Sequence, residues 1–332
     1  MTSARSSRRW PWVTAALCIV ILLAGPRTCV REPDVAAVLA EVPRELGAIP
    51  TWLAQREERA GVRDSAVAKR VRFANPSAPA RTAWSVVYLH GFSATRQETA
   101  PVSEQVAQAL DANLFETRLK GHGLPGDSLG GVTAQDWLTD AVEAMEVARR
   151  LGDSVLVIGT STGGTLGVWL ATLPADERKG LAALALISPN FGPKDEKAGL
   201  LTLPWANVIL PRFIPQREWT ARNDEQRRFW TVKYPSTALF PMQALVEDVR
   251  GRSLTGYNVP TLVIYHEGDS VVDASRTKRW LEALALETLA PVEQVLVVPT
   301  EGEDGHVIAG RIVSPSQTNM VRDRIVGFVR PR

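Results

Sequence analysis

Cysteine is nearly absent from this 332-residue chain, which has two, Cys18 and Cys29. Both fall within the first thirty residues. The body beyond them forms no disulfide of its own and carries neither a thiol nucleophile nor a cysteine metal site. A surplus of one charge sign is missing too: 38 Lys and Arg face 36 Asp and Glu, a formal net charge of +2. Such a balance gives no electrostatic footprint for a nucleic-acid partner. Histidine is scarce, at four residues, and no cluster of side chains has metal-ligand spacing, so no metal or other cofactor is called for. There is no internal repeat at solenoid or propeller periods.

Long apolar runs are also lacking, with one exception. Arg5, Arg8 and Arg9 precede the stretch Val13–Ala24 (VTAALCIVILLA). Basic residues before a short apolar segment are the pattern of a secretory signal. The stretch is short of the about 20 residues a spanning helix needs, although Trp10, Pro11 and Trp12 extend it. No small-residue cleavage site follows Ala24. Residues 1–30 therefore read either as a cleaved signal peptide or as an N-terminal membrane anchor, with an exported, periplasmic or extracellular body. Cys29 is a poor lipid-attachment site, because Arg27 and Thr28 precede it.

What the chain does have is 45% hydrophobic residues, enough for a large core. After a polar helical stretch from Asp34 to about Gly61, strand-like and helix-like patterns alternate. Apolar β-rich runs lie at Ser85–Leu89, Asn113–Leu119, Ser154–Gly159, Leu181–Ser188, Thr261–His266 and Gln294–Val298. Near-continuous apolar strands belong to a sheet covered on both faces. Helical patterns run from Thr133 to about Leu151, onward from Ser161, and from Ala274 to about Leu286. A last helix is expected at Ser314-Pro315, with serine as N-cap and proline at the first position. This alternation predicts a mostly parallel α/β sheet with helices on both faces. Residues 190–253 break the pattern with Trp205, Trp219, Trp230 and several prolines. They are expected to form a helical cap between two core parts, residues 31–189 and 254–332.

Gly159-Thr160-Ser161-Thr162-Gly163 sits between the strand SVLVIG and an apolar helical run. In Gly-x-Ser-x-Gly a sharp turn lifts the serine hydroxyl above the sheet, and small flanking residues let helix and strand approach. Ser161 is the candidate nucleophile. Its oxyanion would be met by two backbone N–H donors, one from Thr162 and one from Phe92 in His90-Gly91-Phe92. His90 and His122 (in Lys120-Gly121-His122-Gly123) read as loop braces. Asp269 follows the strand TLVIYH and is the candidate acid, with Asp273 and Glu267 as rivals in the same turn. His306 follows the strand QVLVV and is the candidate base. The chain order Ser161, Asp269, His306 is one of the known orders of a Ser-His-Asp triad.

Together, HGF after a strand, the KGHG loop, GTSTGG, PTLVIYHEGDSVV and GHVIAG resemble the α/β-hydrolases, from about Ala68 to the C-terminus. The resemblance is closest to the branch holding monoacylglycerol lipases, lysophospholipases, carboxylesterases and serine-aminopeptidase-like proteins. Two points depart from it: Thr160 stands where relatives often have His, Met, Gln or Trp, and the cap matches no particular enzyme. The resemblance implies an α/β-hydrolase fold and a serine hydrolase working through an acyl-enzyme, with Ser161, Asp269 and His306 as the triad. The implied substrate is a small-molecule acyl ester or a lipid. An aminopeptidase would instead need an anionic group for the substrate's amine, for which Glu196, Glu218, Asp224 and Glu225 are candidates. A non-catalytic binding protein is the remaining alternative.

Overall fold

Residues 10–330 are described by a computed structural model. In chain order the helices are α1 (Trp10–Leu23), α2 (Val35–Glu41), α3 (Ile49–Arg59), α4 (Val102–Ala109), α5 (Ala134–Leu151), α6 (Thr162–Ala171), α7 (Ala206–Phe213), α8 (Asp224–Phe229), α9 (Leu239–Gly251), α10 (Ala274–Glu287) and α11 (Thr318–Val329). The strands are β1 (Arg70–Arg72), β2 (Thr82–Leu89), β3 (Asn113–Glu116), β4 (Gly152–Thr160), β5 (Leu181–Ile187), β6 (Gln216–Glu218), β7 (Lys233–Pro235), β8 (Thr261–Tyr265) and β9 (Val292–Leu296).

Seven strands form one sheet in the order β1-β3-β2-β4-β5-β8-β9. All neighbours are parallel except β1, which pairs antiparallel with β3. Alternate side chains along each strand enter different cores, as the two-residue period requires. Val86, Tyr88, Leu156 and Ile158 pack on the face covered by α4 and α11. Val87, Leu89, Val155 and Val157 pack on the opposite face with α5 and α6. A sheet buried on both sides explains why its central strands are nearly all apolar. The fold is that of an α/β-hydrolase.

Helix α5 starts where the sequence predicts. Thr133 and Asp136 form a reciprocal capping box, each side chain accepting the other's backbone N–H. The last helix starts differently. Pro315–Gln317 make a 3-10 turn, and α11 begins at Thr318. Ser314 stands at the N-cap position of that turn, with Pro315 directly after it, but its side chain makes no capping bond; its hydroxyl accepts the Asp304 N–H at 3.2 Å instead. The segment 190–253 is not wholly helical either. It contains the β6–β7 hairpin, and its last helix, α9, buries Met242, Leu245, Val246 and Val249 in the main core beside α5 and α6.

Helix α1 spans 14 residues, and no helix among the described residues is long and apolar enough to cross a membrane. Arg5, Arg8 and Arg9, on which the export reading partly rests, lie outside the described residues.

Candidate active site

The parallel strands deliver their following loops to one edge, the carboxyl edge where open α/β sheets bind ligands. The loop after β2 carries His90, Gly91 and Phe92. The turn after β4 carries Ser161, the turn after β8 carries Asp269, and the loop after β9 carries His306. Residues distant in sequence therefore converge.

Ser161 is held at φ 52°, ψ −117°, a conformation unfavourable for a residue with a Cβ. The chain tolerates it because its neighbours are packed too closely to relax. A Cβ on Gly163 would lie 2.0 Å from the Leu89 carbonyl oxygen, and one on Gly159 would lie 2.5 Å from that of Gly163. The two glycines let β2, β4 and α6 meet under the serine. The Ser161 N–H donates to Ile187 O at 2.9 Å, which fixes the turn to β5.

Ser161 Oγ and His306 Nε2 are 2.9 Å apart, and His306 Nδ1 lies 2.7 Å from Asp269 Oδ2. A carboxylate only accepts, so Nδ1 carries the proton and donates it to Asp269. Nε2 is then free to accept the serine proton. Asp269 Oδ1 accepts the Val271 and Val272 N–H groups at 2.7 and 3.0 Å, which aims Oδ2 at the histidine. All three side chains are buried. Burial by itself would lower the His306 pKa. The hydrogen bond and charge of Asp269, aided by Glu98 and Asp304, outweigh it and hold the imidazole above its ordinary 6.5.

The rival acids are occupied elsewhere. Asp273 caps α10 through the Ser275 N–H, and Glu267 pairs with Lys278. His90 is neutral, because burial and the adjacent His122 push its pKa well below 6.5. Its Nε2 accepts the Leu119 N–H at 3.0 Å, so Nδ1–H donates to Gly91 O at 2.9 Å. Neither nitrogen remains for Ser161. Among the described residues, the Phe92 and Thr162 N–H groups donate to no acceptor, and both residues line the cavity over Ser161.

A family model described as serine aminopeptidase, S33, matches residues 80–290. The chain belongs to this family. A thermostable monoacylglycerol lipase of Bacillus sp. (strain H-257) is 25% identical over 187 residues, which span 56% of this chain and 71% of that protein. A structure from work on the metagenome-derived lipolytic enzymes LipS and LipT is similar with a TM-score of 0.61 at 19% identity. That match covers 80% of this chain and 98% of the other. The monoacylglycerol lipase of Paleococcus ferrophilus gives 0.55 at 12% identity over 78% and 98% of the two chains. These structural likenesses show the fold.

In this S33-family chain a cavity of about 450 Å³ opens above Ser161. Trp219, Trp230, Tyr234 and Leu239 supply apolar wall from residues 190–253, and Val271 and Val307 supply it from the core. None of Glu196, Glu218, Asp224 and Glu225 lines it. Glu218 instead pairs with Lys233, Asp224 with Arg227 and Glu225 with Arg311. The carboxylates that do reach the cavity, Glu98 and Asp304, were not singled out from the sequence. Asp304 Oδ1 accepts the His306 and Val307 N–H groups at 2.7 and 2.9 Å, bracing the histidine loop. Its signal was an acidic residue two positions before the candidate base, the spacing of a side-chain-to-backbone turn.

Proposed function

We propose that the chain is a serine hydrolase that cleaves carboxylic esters through Ser161, His306 and Asp269. The observation that carries this reading is the continuous hydrogen-bond relay from Asp269 through His306 to Ser161 beneath a cavity with an aromatic and aliphatic wall. His306 Nε2 takes the hydroxyl proton as Ser161 Oγ adds to the ester carbonyl. The oxyanion forms against the Phe92 and Thr162 N–H groups. His306 then returns the proton to the departing alcohol, leaving an acyl group on Ser161. Water activated by the same imidazole releases the acid and restores the serine. Asp269 keeps the proton on Nδ1 and stabilises the imidazolium. The aromatic and aliphatic wall suits an acyl chain, and the similarity to a Bacillus monoacylglycerol lipase supports an acylglycerol or a smaller acyl ester as substrate.

The test is turnover of p-nitrophenyl esters of increasing acyl length beside an amino-acid p-nitroanilide. Ester turnover with little or none on the anilide is expected, and the chain-length optimum separates acylglycerol from short-ester specificity. Anilide turnover alone would establish an aminopeptidase.

A further inference from the structure

The cavity contains a carboxyl group that the triad does not use. Glu98 lies in the loop between β2 and α4 and is 2% exposed. Its Oε2 accepts the Gly91 N–H at 2.7 Å and the Tyr88 hydroxyl at 3.0 Å. The Tyr88 oxygen is also 3.2 Å from Thr160 Oγ1, on the residue before Ser161. One carboxylate oxygen thus joins the loop after β2 to the nucleophile turn.

Gly91 has no Cβ and little intrinsic conformational preference. A Cβ there would meet Glu98 Oε1 at 2.6 Å and Ser161 Cβ at 3.1 Å, so a side chain at this position would force the carboxyl group or the turn to shift. Each peptide unit is planar, so two rotations at Gly91 decide where the next N–H points. That next N–H belongs to Phe92. Glu98 holds the peptide before Gly91 by its N–H. His90 Nδ1–H holds the peptide after it by its carbonyl oxygen, which lies opposite the Phe92 N–H. With both planes pinned, the direction of the Phe92 N–H is determined.

We propose that Glu98, clamped by Tyr88, is a positioning residue that holds Gly91 so that the Phe92 N–H faces the forming oxyanion. The inference rests on the Ser161 ester-hydrolase reading. Burial raises Glu98 to about 7, against the opposing effects of the Gly91 N–H, His306 and Tyr88, while Asp304 pushes it further up. The clamp does not depend on that charge, because either form of the carboxyl group offers an acceptor oxygen.

The experiment compares the full chain with Glu98→Gln, Glu98→Ala and Tyr88→Phe. It reads kcat and KM on p-nitrophenyl butyrate, inhibition by an alkyl boronic acid, and the thermal unfolding midpoint. The boronate forms a tetrahedral adduct on serine and so needs the oxyanion donors. Glu98→Ala is expected to lose about 10²-fold in kcat, the order seen when one oxyanion donor is removed, with KM within about threefold. Boronate affinity should fall in parallel. Glu98→Gln keeps an acceptor oxygen and should recover kcat to within about fivefold of the parent. Tyr88→Phe should lower kcat and boronate affinity together by about three- to tenfold; it carries the test if Glu98→Ala does not fold. A folded Glu98→Ala with parental kcat, a Glu98→Gln as inactive as the alanine, or an unaffected Tyr88→Phe overturns the proposal. A parent chain without ester turnover would refute the hydrolase reading itself, which is a separate result.

Discussion

Replacing Asp269 by asparagine exchanges one oxygen for an NH2 group and reverses the polarity of the catalytic relay. In the parent, Oδ1 accepts two backbone N–H groups and Oδ2 accepts the His306 Nδ1 proton. The asparagine oxygen must take the place of Oδ1, because only an oxygen accepts from Val271 and Val272. Its NH2 group then faces His306 and donates to Nδ1. The imidazole is driven into the tautomer with its proton on Nε2, where it points at Ser161 and accepts nothing. The fold survives, since the turn keeps its two backbone hydrogen bonds, but the base is lost. Loss of this tautomer control costs about 10⁴ in kcat in a Ser-His-Asp triad, or about 5 kcal/mol at about 1.4 kcal/mol per tenfold. Steady-state p-nitrophenyl ester turnover measures it. Asp273→Asn and Glu267→Gln should stay within about threefold, as a helix cap and a surface pair affect stability rather than chemistry. An Asp269→Asn variant retaining more than about a tenth of parental kcat would show that Asp269 does not set the tautomer of His306.

The fold buries the ionisable side chains of His306 and Lys69, whose charge states have measurable effects. The base works only when neutral, and Asp269 favours its protonated form, so the acid limb of kcat/KM should lie above pH 6.5. Activity is full above that pKa and falls about tenfold per pH unit below it; Asp269→Asn, lacking the carboxylate, should move the limb to lower pH. Lys69 is buried between Asp140 (2.8 Å) and Glu143 (2.5 Å), which hold it charged in spite of desolvation. Lys69→Met leaves two carboxylates without their shared cation and should cost about 3–5 kcal/mol of unfolding free energy in denaturant titration. A loss below about 1 kcal/mol would show that Arg56, the other partner of Glu143, suffices.

The legible parts of the chain were those with a strong local signature. The β4–Ser161–α6 unit combines an apolar strand, a glycine-bounded turn and an apolar helix, and each piece has a steric cause. The buried strands β2, β5 and β8 announced themselves by unbroken apolar runs. The outermost strand β9, largely exposed, occupies Val292–Leu296 rather than Gln294–Val298, and β3 ends at Glu116 rather than Leu119. Strand β1 escaped notice because it is three residues, Arg-Val-Arg, at an antiparallel edge. Strands β6 and β7 are equally short and pair only with each other. The place at the strand end favours Asp269, but by sequence Asp273 and Glu267 stay as rivals because all three crowd one turn. Partners from the loop after β9, from α10 and from the backbone distinguish them. Glu98 was illegible for the same reason: its role depends on Tyr88 and Gly91, which sequence spacing does not connect. The acids that an aminopeptidase reading would have drawn on, Glu196, Glu218, Asp224 and Glu225, face arginine and lysine partners or solvent instead of the cavity, as charged residues of a cap usually do.

A Ser161 that carries the acyl group must also be the residue that a phosphylating agent captures. The most direct measurement is intact-protein mass after exposure of the full chain to an alkyl fluorophosphonate, with peptide mapping and ester turnover recorded on the same samples. One adduct is expected, on Ser161, with loss of turnover in proportion to labelling; Ser161→Ala should neither label nor turn over ester. An adduct on another residue, or a Ser161→Ala chain that hydrolyses esters like the parent, would contradict this role of Ser161.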